Sequence, residues 1–448
     1  MASIQKRKNS YAVIYWFKDK NGITKQKWET CATFKAAKKR KAEVENQLET
    51  DQFIEPSNQT LESFLDTFIE VYGPENWSPS TYSKNVSAIK NYIVPYIGKV
   101  KLQDVNVLMI QKYYSKLSQD KANDSRYESS TISSGTVLRV HKLLKTAFKC
   151  AKLWDLINKD PYEKVPTPKH EYKKRDIWNS DTILQALRVC DDPKLTIAIH
   201  LSFACSLRIG EILGLQWKNV HIEDEDIEND NARLDVVWQL EELSRDAIKQ
   251  SKVGEIFLEF PSYTSEPTKT VKVLKSPKTK SSIRTVWIPN TLAMILQKWK
   301  QEQQNYKEFF EGEYHDYDLV VCFENGRPCS NNAIRASLNR LIKENDLPFV
   351  TFHSFRHAST TYKLKLNHGD IKATQGDTGH AQADMITDLY AHILDEDRKM
   401  NAQRFDESFY TQTGEQVDVK SSKVNIDELI NAFKSDPALL QQVLSALK

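Results

Sequence analysis

Toward its C-terminal end the chain reads Thr351-Phe-His-Ser-Phe-Arg-His-Ala-Ser-Thr360, then Gly379-His380, then Asp388-Leu-Tyr-Ala-His392, and this run restricts how the segment can fold. His353 and Arg356 are spaced i, i+3, so on a helix they share one face and can reach the same anion. A phosphate suits that pair. Tyr390 follows His380 by ten residues, and one straight helix would hold them about 15 Å apart, too far to share a phosphorus atom. The chain must therefore turn between the two, near Ala381 to Asp384.

Two earlier stretches extend the pattern. Ser206-Leu-Arg-Ile-Gly-Glu-Ile-Leu-Gly-Leu-Gln-Trp217 carries Arg208 with Glu211 one helical turn on, and Pro277-Lys-Thr-Lys-Ser-Ser-Ile-Arg-Thr-Val-Trp-Ile-Pro289 carries Lys278 and Lys280. Arginine, lysine, His-x-x-Arg, Gly-His and tyrosine in this order resemble the tyrosine recombinases, the integrases of phages and conjugative transposons. The resemblance implies catalytic Arg208, Lys278, His353, Arg356 and His380, with Tyr390 as nucleophile, Glu211 in support and Lys280 as the alternative lysine. It also implies that residues 277–289 form a β-hairpin. Gly376-Asp377-Thr378 departs from the apolar residues the family usually has before Gly-His.

The chemistry follows from these side chains. A tyrosine phenol, pKa ~10, is mostly protonated at neutral pH, so its attack on a phosphodiester needs a base or a positive field. Arg208 and Arg356 supply that field through paired hydrogen bonds to the nonbridging oxygens, where the transition state gains charge. Lys278 suits a general acid for the departing 5′-oxygen, and His353 and His380 add donors or shuttle the phenol proton. No cofactor is expected, because the phosphotyrosine ester keeps the energy of the broken bond. Nor is a metal, since two arginines and a lysine supply the charge that magnesium would.

Rival readings fare worse. His353 and His357 have the i, i+4 spacing of a zinc helix, but Ser354 stands where the glutamate base should be and Arg356 opposes a dication. Tyr362 precedes Gly-His and Tyr410 lies thirty residues beyond it, so neither has the ten-residue step. A type IB topoisomerase would use the same chemistry without joining two duplexes, and a DNA-binding protein without chemistry would not need the whole set.

Bulk composition sets the frame. With 448 residues, 27% charged and 40% hydrophobic, the chain has length for two to four domains with ample core. Six cysteines, Cys31, Cys150, Cys190, Cys205, Cys322 and Cys329, form no Cys-x-x-Cys pair, and the first residues lack an apolar signal core. No run approaches the ~18 apolar residues of a membrane span, so a cytoplasmic protein off the membrane is expected.

Charge is unevenly spread. Residues 1–50 hold twelve Lys/Arg against five Asp/Glu, a local charge of +7 in a chain whose total is only +3. Strands over residues 10–17 and 23–30, a turn at 19–22 and a helix over 34–48 are expected there, with Tyr11, Tyr15 and Trp16 in a small core. Helical spacing follows from Leu61, then over residues 79–93, 105–117 and 133–153, with Thr60 a helix cap. Prolines and lysines then mark a tether. Beyond it, helices are expected at 182–190, 194–205, 290–304 and 332–344, and strands at 234–240 and 255–260. Six acids between Glu223 and Asp230 belong on an outer surface. Residues 424–433 and 437–447 have helical apolar stripes that must dock on something.

The expected architecture is multidomain α+β. The resemblance implies an arm-type DNA-binding domain at 1–52 with a small β-sheet and one helix, and an all-α, four-helix, SAM-like core-binding domain at 58–158. A linker at 159–176 follows, then a mainly α catalytic domain with a β-hairpin sheet at 177–412 and a helical tail at 413–448. Lys6, Arg7, Lys25, Lys27, Lys173, Lys174 and Arg175 are the expected DNA contacts; Lys84, Lys90, Arg139, Lys142 and Lys145 are further phosphate candidates. The implied partners are double-stranded DNA at core and arm attachment sites, three further copies in a homotetramer on DNA, and an excisionase or DNA-bending protein. The implied function is site-specific recombination through a 3′-phosphotyrosine, integrating and excising a phage or conjugative element.

Overall fold

The computed structural model describes residues 2–18, 22–50, 53–121, 131–170, 176–266, 268–277, 282–367 and 370–372. The basic N-terminal stretch forms an antiparallel sheet, β1 (Ser3–Lys6), β2 (Tyr11–Lys18) and β3 (Thr24–Cys31), in the order β1-β2-β3. A helix, Phe34–Glu49, covers one face, and the Thr33 hydroxyl caps it by accepting from the Ala36 amide. Strand alternation sends Val13, Tyr15 and Phe17 inward against Ala37 and Val44. The same alternation turns Trp16 outward. Expected in the core, it is 56% exposed, and Trp28 on the neighbouring strand is 46% exposed.

Four main helices follow. They are Leu61–Val71, Pro79–Ala88 running on into a π-helical turn at Ile89–Ile93, Val107–Gln119 and Ser134–Leu153. Local sequence starts three of them, because Thr60, Asn106 and Ser133 accept from the amides of Ser63, Met109 and Thr136. The apolar stripes then meet in one core of Leu61, Phe64, Leu65, Phe68, Ile89 and Ile93 with Leu144 and Phe148. Each such side chain contributes roughly 1.5–3 kcal/mol on burial.

A larger core begins at Trp178 and runs to Ala358. Helices Ser180–Val189, Pro193–Ala204, Asn290–Phe310, Asn331–Glu344 and His353–Leu366 supply most of it. Two three-stranded antiparallel sheets complete it. One is β4 (Val220–His221), β5 (Arg233–Val236) and β9 (Arg284–Trp287); the other is β6 (Gln239–Ser244), β8 (Thr270–Lys275) and β7 (Ile256–Glu259). The single strand expected over residues 234–240 is thus two strands. Apolar periodicity runs through both, but β5 pairs with β9 while β6 pairs with β8, and the chain changes sheet at Val237 and Trp238. Of the hairpin expected at residues 277–289, β9 is described, while residues 278–281 lie outside the described residues. Among the described residues β8 and β9 do not pair, and they belong to different sheets.

The acidic run forms a largely exposed short helix, Asp224–Glu228. Among the described residues no helix is long and apolar enough to cross a membrane. The helices expected at 424–433 and 437–447 lie outside the described residues.

Candidate active site

Arg208 stands at the start of a short helix, Ile209–Leu213. The preceding helix ends at Ala204, and the connection passes through Ser206, fully buried with φ of 54°, a backbone region that non-glycine residues rarely enter. Hydrogen bonds hold it there. The Ser206 and Ser359 hydroxyls lie 2.6 Å apart, and the Ser206 carbonyl accepts from Arg356 Nη1. Ser359 and Arg356 share one face of the helix His353–Leu366, so the loop that delivers Arg208 is stapled at two points to the helix that delivers Arg356.

Glu211 ties the same loop from inside. Its carboxylate accepts from the Arg208 amide at 3.0 Å and from Arg208 Nη1 at 2.7 Å, an N3-to-N-cap closure. A second guanidinium, Arg284 at the start of β9, donates to the same carboxylate at 3.1 Å. Burial works to raise the Glu211 pKa, but Arg284 and Arg208 outweigh it and hold the group below its ordinary value. Arg356 is only 1% exposed. Burial, with Arg208 beside it, pushes its guanidinium down to about 9, while Glu211 acts the other way. Among the described residues, three guanidiniums thus lie near one carboxylate, a local excess of positive charge.

The cluster opens on a cleft of about 820 Å³. Arg208, Glu211 and Ser282 line one side; Ser80, Ser83 and Lys84 of the four-helix unit line the other. His353 is the first residue of its helix and exposed, its ring 4.5 Å from that of His357.

Of the expected site residues, the fold brings Arg208, Glu211 and Arg356 together and places His353 on the Arg356 helix. Lys278, Lys280, His380 and Tyr390 lie outside the described residues, as do Lys173, Lys174 and Arg175. In the N-terminal sheet, Lys6, Lys25 and Lys27 pair with Tyr11, Phe17 and Tyr15, which puts them on the helix-covered side. Lys27 Nζ donates to the Pro56 carbonyl at 2.7 Å. The open face carries Trp16, Gln26 and Trp28, with the Arg7 guanidinium 5.2 Å from the Trp28 ring centre.

Sequence reading passed over Arg284, Ser206 and Ser359. For Arg284 a signal existed: alternation along β9 puts it on the same face as buried Val286, and a charge on a buried face needs a partner. No signal marked Ser206, whose role depends on a contact 150 residues along the chain.

The chain resembles known proteins over most of its length. The phage integrase family model matches residues 266–397, and the model for the phage integrase N-terminal SAM-like domain matches residues 60–118. The chain is 23% identical over 396 residues to a tyrosine recombinase XerC-like protein of Caldanaerobacter subterraneus subsp. tengcongensis, covering 86% of this chain and 92% of that protein. It is 22% identical over 390 residues to the ICEBs1 integrase of Bacillus subtilis, covering 83% and 90%. The solved structure of the Tn1549 transposon integrase in complex with a circular intermediate DNA shares the fold, with a TM-score of 0.58 at 18% identity over 78% of this chain and 99% of that one. By these matches the chain is similar to the phage integrases and tyrosine recombinases over most of its length.

Proposed function

We propose that the protein is a site-specific DNA recombinase, an integrase that inserts and excises a phage or conjugative element by cutting and rejoining DNA through a 3′-phosphotyrosine. The observation that carries this reading is the meeting of Arg208 and Arg356 from segments far apart in sequence: Arg356 donates to the Ser206 carbonyl in the loop that delivers Arg208, and Arg208, paired with Glu211, lines the cleft. Two guanidiniums held this way suit the nonbridging oxygens of a phosphodiester, and they gain most when the transition state adds charge there.

The Tyr390 phenol oxygen attacks the scissile phosphorus and forms the ester, while the bond from phosphorus to the 5′-oxygen breaks. Lys278 gives that oxygen a proton, so it leaves as a hydroxyl, and His353 and His380 carry the phenol proton away. His353 also stands at the positive end of a helix, which favours a phosphate beside it. A 5′-hydroxyl from a partner duplex reverses the step. Glu211 orients Arg208.

The wider assignments follow the same reading. Residues 1–52 bind arm sites through the open sheet face bearing Arg7, Trp16, Gln26 and Trp28, a ribbon of the width the major groove admits. Residues 58–158 clamp the core site, with exposed Lys84, Arg139, Lys142 and Lys145 facing the backbone. Residues 177–412 carry the chemistry, four copies act on two duplexes, and an excisionase or DNA-bending protein sets direction.

A nicked duplex spanning the element's junction tests the chemistry, because the released fragment diffuses away and traps the intermediate. Denaturing electrophoresis is expected to show a covalent adduct with the wild type and none with Tyr390→Phe. Arg208→Ala and Arg356→Ala should each slow adduct formation about 10²–10³-fold. An adduct that survives Tyr390→Phe moves the nucleophile elsewhere, and tight binding by the wild type without any adduct overturns the chemistry.

A further inference from the structure

We propose that Arg284 is a positioning residue for strand cleavage, acting through Glu211 to keep Arg208 aimed into the cleft; the inference rests on the recombinase reading above. Arg284 opens β9, the strand entered directly after the lysine-bearing segment, and β9 is anchored along β5 from Val236↔Arg284 to Arg233↔Trp287. Its side chain is 8% exposed and that of Glu211 is 2% exposed. One end of the guanidinium donates to Glu211 Oε2 at 3.1 Å, the other to the carbonyl of Ser282 at 3.1 Å. Arg284 therefore joins the Arg208 turn to the strand that follows the lysine.

The charge arrangement says why this goes beyond packing. Glu211 uses both oxygens on Arg208, one on Nη1 and one on the amide, and the amide's oxygen is the one that Arg284 also holds. A buried carboxylate with two cationic partners divides its attraction between them. Without Arg284, the whole of that attraction falls on Arg208, which is 38% exposed and has to offer its guanidinium to a phosphate. Glu211 then becomes a competitor for Arg208 instead of its guide. Arg284 is also the largest single charge offsetting the burial of Glu211, ahead of Arg208.

If Arg284 acts through Glu211, the two substitutions cannot be independent. The full-length protein is assayed in a cycle of wild type, Arg284→Met, Glu211→Gln and the double variant, with adduct formation measured in single turnover on saturating nicked duplex. Arg284→Met is expected to slow the wild-type background about tenfold or more but the Glu211→Gln background less than about twofold, with duplex affinity unchanged within about twofold. A second arm replaces a nonbridging oxygen at the scissile phosphate by methyl. With that charge gone there is less for Arg208 to stabilise, so the gap between wild type and Arg284→Met should narrow.

Equal slowing in both backgrounds, and on both phosphates, would mean that Arg284 only supports the fold, and wild-type rates in a folded Arg284→Met would sink the proposal. Should Arg284→Met fail to fold, Arg284→Lys runs through the same cycle, keeping the charge but losing the two-ended grip. A wild type that makes no adduct on the charged duplex would overturn the recombinase reading itself and this inference with it.

Discussion

Arg356 sits where a cation is hard to keep. It is buried, its Nη1 is held by a neutral carbonyl, and Arg208 is close enough to disfavour its charge, so among the described residues the cluster holds more positive than negative charge. An anion that fills this deficit should stabilise the folded protein by linkage, about 2.7 kcal/mol at a concentration one hundred times its dissociation constant. Inorganic phosphate is accordingly expected to raise the melting temperature of the wild type, by several degrees near saturation. The increment should fall sharply in Arg208→Ala. Measuring both proteins over the same phosphate series separates the site from general salt effects, because only the site is lost in the variant; equal increments would show that phosphate does not bind between these arginines.

Among the elements, the short helix after Arg208 is set by a close backbone approach. Gly214 ends that helix, and a Cβ there would lie 2.7 Å from the Leu240 amide nitrogen and 2.8 Å from the Gln239 backbone, so β6 would have to move. Gly210, one turn earlier, would meet the Leu240 carbonyl only at 3.3 Å. Gly214→Ala should therefore destabilise the protein by about 1–3 kcal/mol and Gly210→Ala by less, as read from urea unfolding midpoints. Adduct formation should follow the same order, since the strand presses on the element that carries Arg208. Similar midpoints for the two variants would remove β6 as the constraint.

In the whole molecule, the connection between β6 and β7 reaches across to the four-helix unit. The Lys252 amide donates to the Pro74 carbonyl at 2.9 Å, the Ser251 hydroxyl donates to the Trp77 carbonyl at 2.6 Å, and Lys252 pairs with Glu75. These contacts tie the four-helix unit to the part of the chain that carries Arg208. In the proposed clamp, a duplex enters between the two units only when cross-contacts of this kind break. Ser251→Ala removes one cross-contact worth about 0.5–1.5 kcal/mol and should raise the association rate for a core-site duplex roughly two- to tenfold. Stopped-flow anisotropy with a labelled duplex would measure it, and an unchanged or slower rate would show that these contacts do not gate entry.

What the sequence determined by itself was local. Thr60, Asn106 and Ser133 cap helices because a side-chain oxygen reaches an amide three residues on, and the apolar spacing from Leu61 to Ile69 already describes a buried stripe. The His353-to-Arg356 helix and the Arg208–Glu211 turn were legible for the same reason, as was the order of the residues that mark the family. Long-range contacts decided the rest. Whether residues 234–240 made one strand or two depended on β8 and β9, which lie tens of residues away. Trp16 faces out because a helix covered the opposite side of its sheet, and Arg284 became a partner of Glu211 only once β9 had paired with β5. Hydrogen bonds between neighbours leave their spacing in the sequence, whereas pairing and burial between distant segments depend on surfaces that exist only after the chain has folded.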